Sequence, residues 1–520
     1  MQNFVKLILF ILLFTVPQVY SQPVPQKIDS LVNIVLREFQ VPGISLAIVK
    51  DGKVILTKGY GIKKLGSSEQ VDEKTLFGIA SNSKAFTATA LAILQEEGRF
   101  NWNDKVIDYL PWFRLSDPYI TKELTIKDLL VHRSGLGLGA GDLLWWPPSD
   151  YSRREIVERI KNVPLIHSFR STYAYDNVLY ITAAELIEAV SGMSWEEFIT
   201  KRIYDVIGFE YSTILEYSDL AATNIAGTHA IVEGELKTVS PFLKGNSNGA
   251  CGVNSCAADM AKWMMVQLDS GRINDQERLF SANTARQLWS LVTPIPVAKA
   301  PVELAPTQSN FRGYGLGFGV RDYRGYKIVS HTGGLPGYLS MVTLIPDTRL
   351  GIAVLTNQES AEAFSSLTNS IIDMYLNAPA FNWVEAYKKI QQKGLITLTE
   401  EKSETEKSRN KDSKPSLPIK EYLGRYTDQW YGDIIITENK GRYEISFTKT
   451  PFLKGELIHW QYDTFIARWY ERELRADAYV NFSIDTNGKV ESARMKAVYS
   501  ETDFSFDFHD LLLKKSKEDN

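Results

Sequence analysis

The sequence predicts an α+β protein: an antiparallel sheet built from N- and C-terminal strands, a helical insertion beside it, and a small all-β, barrel-like domain after it. Three observations carry this. Strand-like alternation occupies residues 43–61 and returns at 314–355, with helical periodicity between. A charged stretch, EEKSETEKSRNKDSKPS, ends at Ser416 and holds no apolar residue. Beyond it, residues 417–514 are rich in aromatic and β-branched residues in short alternating runs.

In chain order, Lys6, the apolar run Leu7–Val16 and the small-residue site around Val19-Tyr20-Ser21 read as an export signal over residues 1–21. The run is much shorter than the about 20 apolar residues of a transmembrane helix. The expectation is a bacterial protein, periplasmic or secreted, with no stable membrane anchor once the signal is cleaved. Gly43–Gly61 reads as a hairpin, with Asp51-Gly52 as its turn and Ile44, Leu46 and Ile48 alternating before it. From Ser83 to Glu97 the pattern is helical, with Phe86, Ala90, Ile93 and Leu94 on one face and Gly98 as the stop. Further helices are expected at Val178–Val190, Asp259–Leu268 and Ala361–Leu376. Strands are expected at Tyr314–Val320, Tyr326–Ser330, Tyr338–Ile345 and Leu350–Leu355. The domain reading is therefore a mixed α+β domain over 28–392, a solvated linker over 393–416 that cannot bury enough surface to offset its chain entropy, and the β domain over 417–514.

The formal net charge is -4, without a basic block or stripe, so a nucleic-acid partner is not expected. Cys251 and Cys256 sit in a Gly- and Asn-rich stretch; a disulfide and two buried free thiols both remain open. Their spacing does not suit zinc and no His cluster accompanies them. No metal or organic cofactor is implied, and the expected partner is a small-molecule or peptide substrate.

A Ser-x-x-Lys tetrad places a hydroxyl and an amine one helical turn apart, where a neutral amine can take the hydroxyl proton. It occurs at Ser81–Lys84, Ser408–Lys411 and Ser446–Lys449. The second lies in the charged stretch. The third lies in a strand-like run, where residues three apart face opposite ways. Only Ser81 opens an amphipathic helix, although Ser there is also a common helix N-cap.

The residues around Ser81 carry more. LFGIASNSKAFTATALAILQEEGRFNWNDKVIDYLP, from Leu76 to Pro111, resembles the serine β-lactamase and D-alanyl-D-alanine carboxypeptidase superfamily, in its class C-like branch. LTIKDLLVHRSGL follows, then Tyr175-Asp176-Asn177, which matches the Tyr-x-Asn motif. His331-Thr332-Gly333-Gly334 comes last, where true β-lactamases usually carry Lys-Thr-Gly. The resemblance implies a β-lactamase/transpeptidase-like fold and an exported serine hydrolase working through an acyl-enzyme on Ser81. Lys84 and Tyr175 would form the acid–base pair, with the identity of the base left open. Asn177, His331, Thr332 and Gly333 would bind substrate, and the backbone N–H groups of Ser81 and Gly334 would form the oxyanion hole. The substrate implied is a small peptide or amide, with D-residues or cell-wall material in view. A carboxyl esterase, a β-lactamase and a non-catalytic peptidoglycan- or partner-binding protein are the rivals.

Two departures matter. His331 replaces a fixed cation, which suits a substrate carboxylate less well. Asp176 is expected to add negative charge near the site and to disfavour anions. His132 reads as structural, Trp145-Trp146 as a lid or as satellite core, and His459-Trp460 and Tyr462-Asp463 as core and turn residues of the β domain.

Overall fold

A computed structural model describes residues 25–214, 216, 224–241 and 244–516. The expected export signal lies outside them. Eight strands form the main sheet: β1 (Gly43–Lys50), β2 (Lys53–Gly61), β3 (Thr293–Pro294), β4 (Arg312–Tyr314), β5 (Gly319–Tyr323), β6 (Tyr326–Leu335), β7 (Tyr338–Ile345) and β8 (Leu350–Thr356). Their order is β2-β1-β8-β7-β6-β5-β4-β3, every pair antiparallel. N-terminal strands thus sit beside C-terminal ones, with the helical region inserted between.

Both faces of the sheet are covered, so its central strands are almost wholly apolar. Ala47, Val49, Val342, Leu344, Ala353 and Leu355 point to one face, against α2 (Ser83–Glu96) and α4 (Ala257–Leu268). Leu46, Ile48, Ile345, Ile352 and Val354 alternate to the other, against α1 (Pro25–Glu38) and α5 (Ala361–Leu376). Between α2 and α4 in the chain lies α3 (Val178–Ser191), which packs on α2. The single-face expectation for α2 is too narrow. Every residue from Ser83 to Leu94 is buried, because α2 runs through the centre of the domain. Thr87 is satisfied there: it donates to Gly249 O at 2.7 Å and accepts from the Trp195 indole at 2.9 Å.

The strand expected over Tyr314–Val320 is broken into β4 and β5. Gly317 takes φ +82° at the break and lies so close to α2 that a Cβ would meet Lys84 O at 2.8 Å.

The charged stretch also differs from expectation. A helix, α6 (Trp383–Ser408), runs through its first half. Trp383 and Ala386 are buried at its start; beyond them it is exposed and polar, held by ion pairs and hydrogen bonds including Lys402–Glu501 and Ser500 to Glu401. Helical hydrogen bonds satisfy the backbone while the side chains stay solvated, so lack of apolar residues does not exclude a helix with such pairs. The chain then turns at Arg409, which stacks on Trp460 at 4.6 Å, and Ser416 bonds to Asp463. His459–Asp463 therefore pins the connection to the β domain.

That domain is a closed antiparallel barrel of strands β9 (Gly424–Asp428), β10 (Gly432–Asn439), β11 (Arg442–Phe447), β12 (Lys454–Gln461), β13 (Thr464–Trp469), β14 (Ala478–Ile484), β15 (Val490–Ala497) and β16 (Leu513–Lys515). Alternate residues such as Ile434, Ile436, Phe465, Ala467, Val480 and Phe482 fill it, and closure leaves no free sheet edge. Its apolar interior is continuous with the core around α2. At the seam, Arg159 donates to Trp430 O and the Tyr151 hydroxyl to Tyr431 O. Trp146 meets Phe506 edge-on. No helix among the described residues is long and apolar enough to cross a membrane.

Candidate active site

Ser81 sits in a single 3-10 turn, Ala80–Asn82, that leads into α2. Ala80 holds a positive φ of 50°, a strained conformation for a residue with a Cβ and one that clusters at functional turns. The three-residue spacing brings Lys84 Nζ to 3.0 Å from Ser81 Oγ. Two further acceptors hold the amine, Asn177 Oδ1 at 2.7 Å and Ala250 O at 3.1 Å. Both accept only, so they fix two N–H bonds of Lys84. The remaining position of the nitrogen faces Ser81. Burial pulls the Lys84 ammonium down from 10.5 to about 8.

Tyr175 stands over the same pair, its ring centroid 4.9 Å from Lys84 Nζ and its hydroxyl bonded to Ser81. Burial pushes this phenol well above its ordinary range. A phenolate promoted by the neighbouring ammonium is thus opposed by desolvation, and Tyr175 keeps its proton. His132 packs against it, ring to ring at 4.3 Å. His132 Nδ1 accepts the Asp176 N–H at 3.1 Å, and burial holds the ring neutral.

His331, on β6, is buried and uncharged. Its Nδ1 lies 2.5 Å from Thr332 O, a pure acceptor, so Nδ1 carries the hydrogen. Nε2 then accepts from the Tyr314 hydroxyl at 2.7 Å. Burial and the nearby Lys84 bring its pKa to about 3. Thr332 and Gly334 line the cavity with Ser81. Gly333 lets β6 approach the Ser81 turn, since a Cβ there would stand 2.1 Å from Ile79 O.

The β domain reaches into this centre. Asp142 accepts from Asn177 Nδ2, Ser505 Oγ and Trp145 Nε1, each at 2.8 Å. Because Asn177 donates to Asp142, its carbonyl oxygen must face Lys84. Asp507 accepts the backbone N–H groups of Gly141 and Leu143 at 2.6 and 3.1 Å, holding the Asp142 turn. Burial raises Asp142 from 3.8 to about 7, against the pull of its three hydrogen bonds.

The expected residues therefore meet: Ser81, Lys84, Tyr175, Asn177, His331, Thr332, Gly333 and Gly334 surround one cavity of about 750 Å³ or stand directly behind its wall. Asp176 departs from expectation. Its carboxyl is buried, accepts from Leu179 N in the first turn of α3, and burial raises its pKa well above the ordinary range. It sits at the N-terminus of α3, outside the cavity lining, and burial favours its neutral form. Trp145 and Trp146 are both buried and line the cavity, which joins the lid and core readings. Sequence reading missed Asp142, Ser505 and Asp507. The alternation Asp503-Phe504-Ser505-Phe506-Asp507-Phe508 was the available signal. Cys251 and Cys256 are both free and buried. Among the described residues no cluster of His, Cys, Asp and Glu could hold a metal ion.

Comparison with known proteins agrees with this fold. The beta-lactamase family model matches residues 28–372, and a domain of unknown function, DUF3471, matches 408–515. Unguisins hydrolase ungD of Aspergillus violaceofuscus is 25% identical over 83% of this chain and 80% of its own length. The homologue ungD' of Aspergillus campestris is 29% identical over 81% and 79%. Protein flp of Staphylococcus aureus is 26% identical over 64% of this chain and 63% of its own. Among solved structures, the octameric penicillin-binding protein homologue from Pyrococcus abyssi shares the fold at a TM-score of 0.59. It is 20% identical, over 95% of this chain and 100% of that one. The chain belongs to the beta-lactamase family of serine hydrolases, with a closed β-barrel domain appended.

Proposed function

We propose that this protein hydrolyses small peptides or amides, D-residue or cell-wall peptides among them, through an acyl ester on Ser81. The observation that carries the reading is Lys84 Nζ at 3.0 Å from Ser81 Oγ, with two other acceptors fixing its hydrogens. In its neutral form Lys84 takes the Ser81 proton as Oγ attacks the substrate carbonyl. The oxyanion is received by the Ser81 and Gly334 N–H groups. Tyr175, kept as a phenol, hands its proton to the departing amine and regains one from the Lys84 ammonium. Water then attacks the ester with Lys84 again as base, releasing the acid and free Ser81.

A hydrolase is favoured by the relatives named as unguisins hydrolases, which match four-fifths of the chain. A β-lactamase is disfavoured by His331, whose neutral ring gives no fixed cation beside the scissile bond. An export signal over residues 1–21 would place the reaction in the periplasm or outside the cell. The test is hydrolysis of a p-nitrophenyl ester from the earliest times, with Ser81→Ala alongside. A product burst and turnover that vanish in Ser81→Ala support the nucleophile. Equal activity in both proteins refutes it. Amide turnover among D-peptides then separates the peptidase from the carboxyl esterase.

A further inference from the structure

The cavity does not end at Ser81. It continues over Thr332 and Ser330 on β6 to the neighbouring strands, where Arg321 on β5 and Arg312 on β4 line it. These two are direct register partners, so their side chains leave the same face of the sheet. Arg321 also pairs with Ile328, on the face of β6 that carries Ser330 and Thr332. Neither arginine has a carboxylate partner among the described residues. The Arg321 guanidinium makes one long contact, Nη1 to Asp322 O at 3.5 Å, and lies 5.6 Å from the Tyr323 ring centroid. The adjacent acid, Asp322, is engaged elsewhere by Asn310 and Phe311.

Two like charges side by side, one of them largely desolvated, are unfavourable unless an anion joins them. Burial lowers the Arg321 pKa, and Arg312 adds to that. The forked guanidinium geometry suits a carboxylate in particular. Of the charged residues lining the cavity, Lys299, Arg312 and Arg321 are basic and only Asp503 is acidic. Asp503 lies at the Ser81 end, beside Phe504 and Ser505.

We infer that Arg321 and Arg312 form a carboxylate-binding subsite for the acyl part of the substrate. Ile328 is four residues from Thr332, or about 13 Å along the strand. Less the reach of an arginine side chain, the anion lies on the order of 10 Å from the scissile carbonyl. That is about three extended residues. The substrate class is thus an acyl donor, such as a short peptide, whose acyl part carries a distal carboxylate. The inference rests on the proposed hydrolase reading for the position of the scissile bond.

The test compares mono-p-nitrophenyl suberate with p-nitrophenyl octanoate, acyl chains of equal length with and without a terminal carboxylate. The ratio of their kcat/KM values should fall at least tenfold in Arg321→Gln and further in the double variant with Arg312→Gln. An unchanged ratio overturns the subsite. Should the native protein hydrolyse neither ester, the hydrolase reading fails, and the subsite is judged without turnover. Suberate dianion should then raise the Tm of the native protein but not of Arg321→Gln, and an equal rise in both overturns it. Arg321→Gln should itself melt no lower than the native protein, since it removes an unpaired desolvated charge. A large fall in Tm would show that Arg321 serves the fold and would also overturn the proposal.

Discussion

Replacing Lys84 by arginine tests the proposed chemistry most directly. The structure lowers the Lys84 pKa from 10.5 to about 8, which favours the neutral amine by about 3 kcal/mol. At pH 7 an unperturbed lysine would be neutral in roughly 0.03% of molecules, and one with a pKa of 8 in roughly 10%, a gain of about 300-fold in competent base. The acylation burst with a p-nitrophenyl ester should therefore climb about tenfold per pH unit below 8 and level off above it. Ser81→Ala serves as the blank for spontaneous hydrolysis. Arginine cannot deprotonate in this range, so Lys84→Arg should lose at least a thousandfold at every pH. Stability carries the same signature. Between about 8 and 10.5 the unfolded chain holds the Lys84 proton and the folded chain does not, so this group makes stability rise with pH across that window. A burst rate flat from pH 6 to 9, or one that survives in Lys84→Arg, would refute Lys84 as the base.

Three further outcomes are expected. Asp142→Leu strips the acceptor from Asn177 Nδ2, Ser505 Oγ and Trp145 Nε1. At about 1–3 kcal/mol for each orphaned donor it should lower both Tm and kcat, whereas Asp142→Asn, which keeps an acceptor, should recover much of kcat. Kinetics and melting of the two variants check this, and equal kcat values would sink the orienting role. Cys256 should react with a thiol reagent only after unfolding, and reductant should leave Tm unchanged, because both cysteines are free and Cys256 is fully buried away from the cavity. Fast labelling of Cys256 in the native protein would contradict the packing. Truncation after Lys407 should abolish turnover and lower Tm, as it removes Ser505 and Asp507 and uncovers Trp146 and Tyr151; a fully active fragment would show that the barrel is dispensable.

Much of this was legible in the chain. The hairpin at β1–β2, the helix at Ala361–Leu376 and the strand at Tyr338–Ile345 follow from periodicity and turn residues, which are local signals. Ser81 was separable from two other Ser-x-x-Lys tetrads because only its local pattern is a buried helix. What failed was non-local. The break within Tyr314–Val320 comes from Gly317 pressing on the backbone of α2, a residue more than two hundred positions away. The helix through the charged stretch is held by partners such as Glu501 and Ser500. Asp142 and Ser505 are 363 positions apart, and the alternation around Ser505 reads as a strand signal that does not point to Asp142. Asp176 was read by its formal charge, but burial decides its state.

That last point extends to the whole centre. Burial acts on each ionisable group around Ser81 in the direction of its neutral form: Lys84 downwards, His331 and His132 downwards, Asp142 and Asp176 upwards. An uncharged centre is what a lysine base requires, because a nearby carboxylate would restore the ammonium. Asp142 is the group to watch. The folded protein holds its proton up to about 7 and the unfolded chain only to 3.8, so this group makes stability fall as pH rises between them. Ionised Asp142 would favour Lys84 as ammonium through Asn177, whereas protonated Asp142 would not. In the native protein the two titrations are therefore linked, and removing Asp142's charge should shift the midpoint of the activity profile. In Asp142→Asn that midpoint should move below the native value of about 8, because one source of support for the ammonium is gone. A midpoint that stays in place, with the amide orientation preserved, would show that Asp142 acts on Lys84 only by holding Asn177.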